Sequence, residues 1–136
     1  MEMHFRHIWI IDDNEIDTFI LESFLTKWVF DMKIRHAGHG REAINWLENE
    51  SAAYPDLIFL DINMPIMDGF TFLKEWTALG HTGNCKIVMI SSSIFCADKQ
   101  RALKFRDVVE FVEKPLSEKK LRALFQSILE PELVRV

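Results

Sequence analysis

Leu57-Ile-Phe-Leu-Asp61-Ile-Asn-Met-Pro65-Ile-Met-Asp-Gly69 opens on an apolar run, stops at an acid and passes into a loop carrying proline and glycine. An uninterrupted short apolar run with turn residues after it is the pattern of a strand buried on both faces, as in a parallel sheet. Two other runs end in the same way, Trp9-Ile-Ile-Asp12-Asp13 and Val109-Glu-Phe-Val-Glu-Lys114-Pro115. If these are neighbouring parallel strands, Asp12, Asp13, Asp61 and Lys114 converge at one sheet edge, where three carboxylates repel one another unless a cation is present. That arrangement suggests chemistry on a phosphoryl group.

Outward from these runs, short apolar segments alternate with longer amphipathic stretches, the pattern of βαβ units. The first strand, about His7 to Ile11, leads to a helix near Glu15 to Lys27. Ile16, Phe19, Ile20 and Phe24 recur there at helical spacing, and Asn14 is the expected N-cap. A second strand near Met32 to His36 precedes Gly38 and Gly40 and a short helix with Ala43, Ile44 and Leu47 on one face. After the third strand, a helix from about Phe70 to Leu79 turns Leu73 and Trp76 inward, and Gly80 to Asn84 breaks it. The fourth strand, Ile87 to Ile90, stops at Ser91-Ser92-Ser93 and is followed by a helix over about Ala97 to Phe105. Leu121, Leu124, Phe125 and Ile128 mark a last helix capped by Ser117, and Pro131 is expected to end the order. No internal repeat or low-complexity segment interrupts the chain.

The bulk numbers agree with one ordinary globular domain. At 136 residues, 49% hydrophobic and 27% charged, the chain is long enough for a sizeable core and too short for two. A net charge of -5 argues against general nucleic-acid binding. The N-terminus lacks a basic stretch with a long apolar run behind it, and no segment approaches a membrane span, so a cytoplasmic location is expected. Cys85 and Cys96 are read as reduced structural thiols.

Residues just after the strands of a doubly wound sheet have first claim on a ligand. Asp12, Asp13, Asp61, Ser91 and Lys114 all qualify. Oxygen-rich, sulfur-free surroundings suit a hard cation, Mg²⁺ with Mn²⁺ as a substitute, rather than zinc. Asp61 would then attack phosphorus in line, Lys114 and the metal would neutralise the equatorial oxygens, and Ser91 would hydrogen-bond the attached group.

Taken in order, Ile-Ile-Asp12-Asp13, Leu-Asp61-Ile-Asn-Met-Pro65-Ile-Met-Asp-Gly69, Ile-Ser91 and Glu-Lys114-Pro115 resemble the receiver domain of two-component response regulators, of the CheY-like type, over essentially the whole chain. The resemblance implies an α/β fold: a doubly wound five-stranded parallel sheet, (βα)5 and flavodoxin-like, with strand order 2-1-3-4-5. It implies phosphoryl transfer to Asp61 from the phosphohistidine of a sensor histidine kinase or histidine phosphotransfer protein. Mg²⁺ would be held by Asp13, Asp61 and the backbone carbonyl of Asn63, with Asp12 acting through water. Lys114 matches the family lysine, and Pro115 after it usually follows a cis bond. Ser91 and Phe111 match the two switch positions that remodel the face made by the fourth helix, fifth strand and fifth helix. One receiver domain over 1–136 is expected, with a core of about 6–129 and a tail of 130–136. It would be a stand-alone module that signals through an unknown protein target. It would be no enzyme beyond its own phosphorylation and dephosphorylation, would not bind DNA directly, and would be a monomer or a phosphorylation-dependent dimer.

Several residues depart from the family pattern. Ser91 keeps the hydroxyl of the commoner threonine without its methyl, and Phe111 replaces a frequent tyrosine, losing the hydroxyl donor. Lys104-Phe-Arg-Asp-Val-Val-Glu-Phe111 lacks the usual Gly-Ala before the fifth strand. Asn63 and Ser93 hold positions that tune hydrolysis in the family. Elsewhere, His36-x-x-His39 and His4-x-x-His7 have borderline metal spacing but no Cys or third His nearby, so surface or packing roles are expected. Trp9, Trp28, Trp46 and Trp76 should fill helix–sheet interfaces, and Lys99, Arg101, Lys104 and Arg106 a solvated helix face. Two other functions compete. A Mg²⁺-dependent phosphohydrolase of the haloacid dehalogenase type would need a second acid where Asn63 stands, and a degenerate receiver acting as a constitutive binding module would not need the intact acidic set.

Overall fold

The computed structural model describes residues 5–28, 32–49, 54–92 and 95–133, with side chains described as far as Ile128. Five strands and five helices alternate: β1 (His7–Ile11), α1 (Glu15–Trp28), β2 (Lys33–Ala37), α2 (Gly40–Asn49), β3 (Leu57–Asp61), α3 (Gly69–Ala78), β4 (Lys86–Ser91), α4 (Cys96–Leu103), β5 (Val108–Glu113) and α5 (Glu118–Leu133). All pairings are parallel and the strand order is β2-β1-β3-β4-β5, so the expected flavodoxin-like α/β sheet is present. Among the described residues no helix is long and apolar enough to cross a membrane.

Alternation along each strand divides the core into two layers, because successive side chains point to opposite faces. Trp9, Ile11, Ile58, Leu60, Ile87 and Met89 pack with Ile44 of α2, Phe72 and Trp76 of α3 and Ala102 of α4. Ile8, Ile10, Leu57, Phe59, Val88 and Ile90 pack with Leu21 and Leu25 of α1 and with Leu121, Leu124, Phe125 and Ile128 of α5. The central strand β3 is buried at every position, which is why its sequence is an apolar run rather than an alternation. At the edges, β2 and β5 mix buried with exposed residues.

Local rules set most helix ends. Asn14 Oδ1 accepts from the N–H groups of Ile16 and Asp17 at 3.0 Å, the expected cap of α1. Ser117 Oγ accepts from Lys120 N at 3.1 Å and begins α5. At the end of α3, Gly80 adopts φ 81°, and the bonds Gly80 N to Thr77 O and His81 N to Trp76 O form a Schellman closure that stops the helix. α4 ends at Leu103, earlier than expected, because Phe105 and Val108 turn the chain by bonding to Ala102 O and Phe105 O. α5 continues past Pro131 to Leu133, where an end of order was expected.

The buried face of α1 overlaps only in part with the stripe its apolar spacing suggested, Phe24 of that stripe packing against the core. Thr18, Leu21 and Leu25 face the core, whereas Ile16 and Phe19 are 71% and 72% exposed. Both stripes of this helix are apolar, so spacing alone does not choose between them.

At the amino ends of the strands, Asp107 holds the α3–β4 connection. Its buried carboxylate accepts from Trp76 Nε1 at 2.9 Å and from Gly83 N at 2.8 Å. Asp107→Ala should lower the urea unfolding free energy by about 2–3 kcal/mol, since two donors lose their acceptor. A midpoint equal to that of wild type would show that water replaces the carboxylate.

Candidate functional site

At the carboxyl edge of the sheet the backbone register sets the site. Asp12 N bonds to Ala37 O at 3.0 Å, Asp61 lies opposite Ile90, Ser91 lies opposite Glu113, and Lys114 N bonds to Ser91 O at 2.7 Å. Three acids and the lysine that are far apart in sequence are thereby brought together. One carboxylate oxygen from each of Asp12, Asp13 and Asp61 lies within 4.8 Å of the others. Lys114 Nζ is 2.9 Å from Asp12 Oδ2, 2.9 Å from Asp17 Oδ2 and 3.6 Å from Asp61 Oδ1. The Lys114–Pro115 bond is cis.

Asp12 and Asp61 are buried and Asp13 is exposed, so the cluster has one open side. Asp12 Oδ1 accepts from Asn14 N at 2.9 Å. Its buried Oδ2 accepts no well-directed hydrogen bond and has the Lys114 ammonium as its neighbour. Burial, followed by the Asp12 charge, pushes the Asp61 carboxyl up to about 7, and Lys114 offsets only part of this. For Lys114, burial alone would lower the pKa, but the Asp17 and Asp12 carboxylates, each 2.9 Å away, outweigh it and hold the group above its ordinary value. Three carboxylates gathered in an all-oxygen cluster with one open side fit a hard divalent cation.

The loop after β3 is built around close backbone approach. Gly69 N donates to Ile62 O at 2.8 Å, and a Cβ on Gly69 would stand 2.5 Å from Asp61 O. Asp68 caps α3 by accepting from Thr71 N at 2.8 Å, so part of the Asp-Gly motif is structural. Ile66 has φ 68° and is 79% exposed, an uncommon state for a β-branched residue. Asn63 is exposed in this loop, two residues beyond Asp61.

Ser91 is buried at the end of β4, and Phe111 is buried on β5 beside Met89. Phe111 also lines an open groove of about 370 Å³ with Glu110, Lys120, Leu124 and Ser127. A second hollow, about 420 Å³, adjoins the acids and is lined by Phe19, Glu22 and His36 among others. His36 and His39 lie outside the acidic cluster: His36 meets Glu22 at 3.3 Å, and His39 Nδ1 accepts from Glu42 N at 3.2 Å. His4 and Ser93 lie outside the described residues. Trp9 and Trp76 are buried and Trp28 and Trp46 half-buried, while Arg101 stacks on Phe70 at 4.0 Å. Asp17 is the site residue that the sequence reading missed. Only its place in the first turn of α1, next to the acidic pair, could have pointed to it.

A model of the response regulator receiver domain matches residues 8–126. The probable transcriptional regulator ycf27 of Porphyra purpurea is 30% identical over 129 residues, which is 95% of this chain and 49% of that protein. The chain spans half or less of the length of the curated relatives it matches. Among solved structures, a two-component response regulator from Cytophaga hutchinsonii superposes with a TM-score of 0.81 at 26% identity, covering 94% of this chain and 99% of that one. The phosphorylated cyanobacterial phytochrome response regulator RcpA gives a TM-score of 0.78 at 25% identity, with 96% of each chain covered. With the acidic cluster and its lysine at the expected sheet edge, these matches place the chain in the receiver domain family of two-component response regulators.

Proposed function

We propose that this chain accepts a phosphoryl group on Asp61 from the phosphohistidine of a sensor kinase or histidine phosphotransfer protein. The observation that carries the reading is the meeting of Asp61 with Asp12, Asp13 and Lys114 at the carboxyl ends of β1, β3 and β5. An Asp61 oxygen forms the new bond to phosphorus as the phosphorus–nitrogen bond to imidazole breaks, and the departing imidazole takes up a proton. Lys114 places positive charge beside the oxygens of the transferred group. Asp12, Asp13, Asp61 and the Asn63 carbonyl would hold Mg²⁺, or Mn²⁺ as a substitute, which when bound supplies charge neutralisation at those oxygens.

Ser91 and Phe111 are the proposed switch. The Ser91 hydroxyl would turn to hydrogen-bond the phosphoryl group once it is attached, and that movement frees volume that the inward Phe111 ring can use. The groove along β5 and α5 that Phe111 lines is the surface this would reshape for a downstream protein. On the opposite flank, exposed Phe19 lines the hollow beside the acids and offers apolar area to a phosphodonor protein.

Incubation with Mg²⁺ and a small phosphodonor such as acetyl phosphate should leave one acid-stable, base-labile phosphoryl group per chain, and none on Asp61→Asn. Labelling that persists in Asp61→Asn would move the acceptor elsewhere. Multiple turnover of phosphate esters would instead favour a phosphohydrolase.

A further inference from the structure

We propose that Asp17 is a positioning residue: it tethers the Lys114 ammonium to α1, so a phosphoryl group on Asp61 must draw the lysine away from Asp17. This rests on Asp61 being the acceptor. Lys114 Nζ is as close to Asp17 Oδ2 as to Asp12 Oδ2, 2.9 Å each, and farther from Asp61 Oδ1 at 3.6 Å. The lysine therefore rests nearer to Asp12 and Asp17 than to the expected acceptor, which stays within ion-pair distance. Asp17 is outside the group of acids that could share a cation, so cation binding does not account for its placement.

Asp17 is also held firmly enough to act as an anchor. Its backbone N–H is fixed to the Asn14 cap at 3.0 Å, and Leu21 and Leu25 lock the helix into the core. The Lys114 side chain is 9% exposed and that of Asp17 25%, so their contact is only partly screened by water. A phosphoryl group on Asp61 brings further negative charge to the same side of the ammonium. Asp17 competes with it, and any gain in phosphoryl contact by Lys114 stretches the link to α1.

The test is beryllofluoride, a phosphoryl analogue for aspartate, titrated in the presence of Mg²⁺ and followed by ¹⁹F NMR. Asp17→Asn should bind it about three-fold more tightly than wild type, the scale of one partly exposed ion pair. Asp17→Glu, which keeps the carboxylate, should return the affinity to near the wild-type value. In a Lys114→Met background Asp17→Asn should change nothing, because the effect runs through the lysine.

A carboxylate in a first helical turn also favours the helix dipole, but losing that would lower stability without changing beryllofluoride affinity. Unchanged or weaker binding by Asp17→Asn would overturn the proposal. So would an equal gain in the Lys114→Met background, which would show charge acting directly on the ligand. Wild type that takes up no beryllofluoride would fail at the acceptor reading itself, and the proposal would fall with it.

Discussion

Unfolded by urea at pH 8 in the presence of a chelator, Asp61→Asn is expected to be more stable than wild type by about 2–4 kcal/mol. Asp61 is buried beside two other acids, and its carboxyl is pushed from an ordinary 3.8 up to about 7. Each pKa unit corresponds to about 1.4 kcal/mol, so roughly three units set the upper end of the range. The pH dependence has a definite sign. Between pH 3.8 and about 7 the native protein keeps a proton that the unfolded chain has lost. The favourable contribution is therefore complete below 3.8 and declines as pH rises, reaching its floor above about 7. Asp61→Asn removes that slope, so the difference between the two proteins should widen across this window and then level off. Mg²⁺ should raise the wild-type midpoint and leave Asp61→Asn nearly unmoved, because a cation bound only to the native state stabilises it by mass action. A constant difference across the pH range would mean that Asp61 ionises freely in the fold.

Gly69→Ala should be the most damaging single-carbon change at the site, at about 2–4 kcal/mol. The added Cβ would stand 2.5 Å from Asp61 O and 3.0 Å from Ile62 Cα, and both are backbone atoms that cannot rotate away. Relief requires β3 and α3 to separate, which strains the Gly69 N–H bond to Ile62 O and moves the carbonyl of the expected acceptor. Mg²⁺ affinity, read by titration, should fall by about ten-fold or more as the three carboxylates lose register. Gly38→Ala is the matched control, since its Cβ would meet only Glu42 Oε2 at 4.0 Å. Equal midpoints for the two variants would show that the β3–α3 junction yields more easily than its backbone contacts imply.

The legibility of this fold from sequence follows its burial. β3 and the interior of β4 are covered on both faces, so their apolar runs hold nothing polar, and the first polar residue after each run stands at the sheet edge that carries the acidic cluster. Asp61 and Ser91 stand out for that reason. The helices are less transparent. In α1 the stripe through Ile16 and Phe19 competes with the one through Thr18, Leu21 and Leu25, and only the sheet and α5 decide which is buried. Asp17 is hidden by the same ambiguity, because its contact with Lys114 depends on how α1 is rotated over the sheet edge. Asp107 is hidden for another reason: its role depends on a tryptophan nitrogen arriving from α3, and no local pattern encodes that pairing.

Ile66 carries a local cost that its own packing does not recover. Its left-handed backbone costs about 1–2 kcal/mol relative to glycine, and its side chain stands in solvent, where it earns almost nothing back. Under selection for heat resistance alone, lineages would drift toward glycine or asparagine at this position. Isoleucine persisting through such a regime would record a demand made by something other than the folded chain itself.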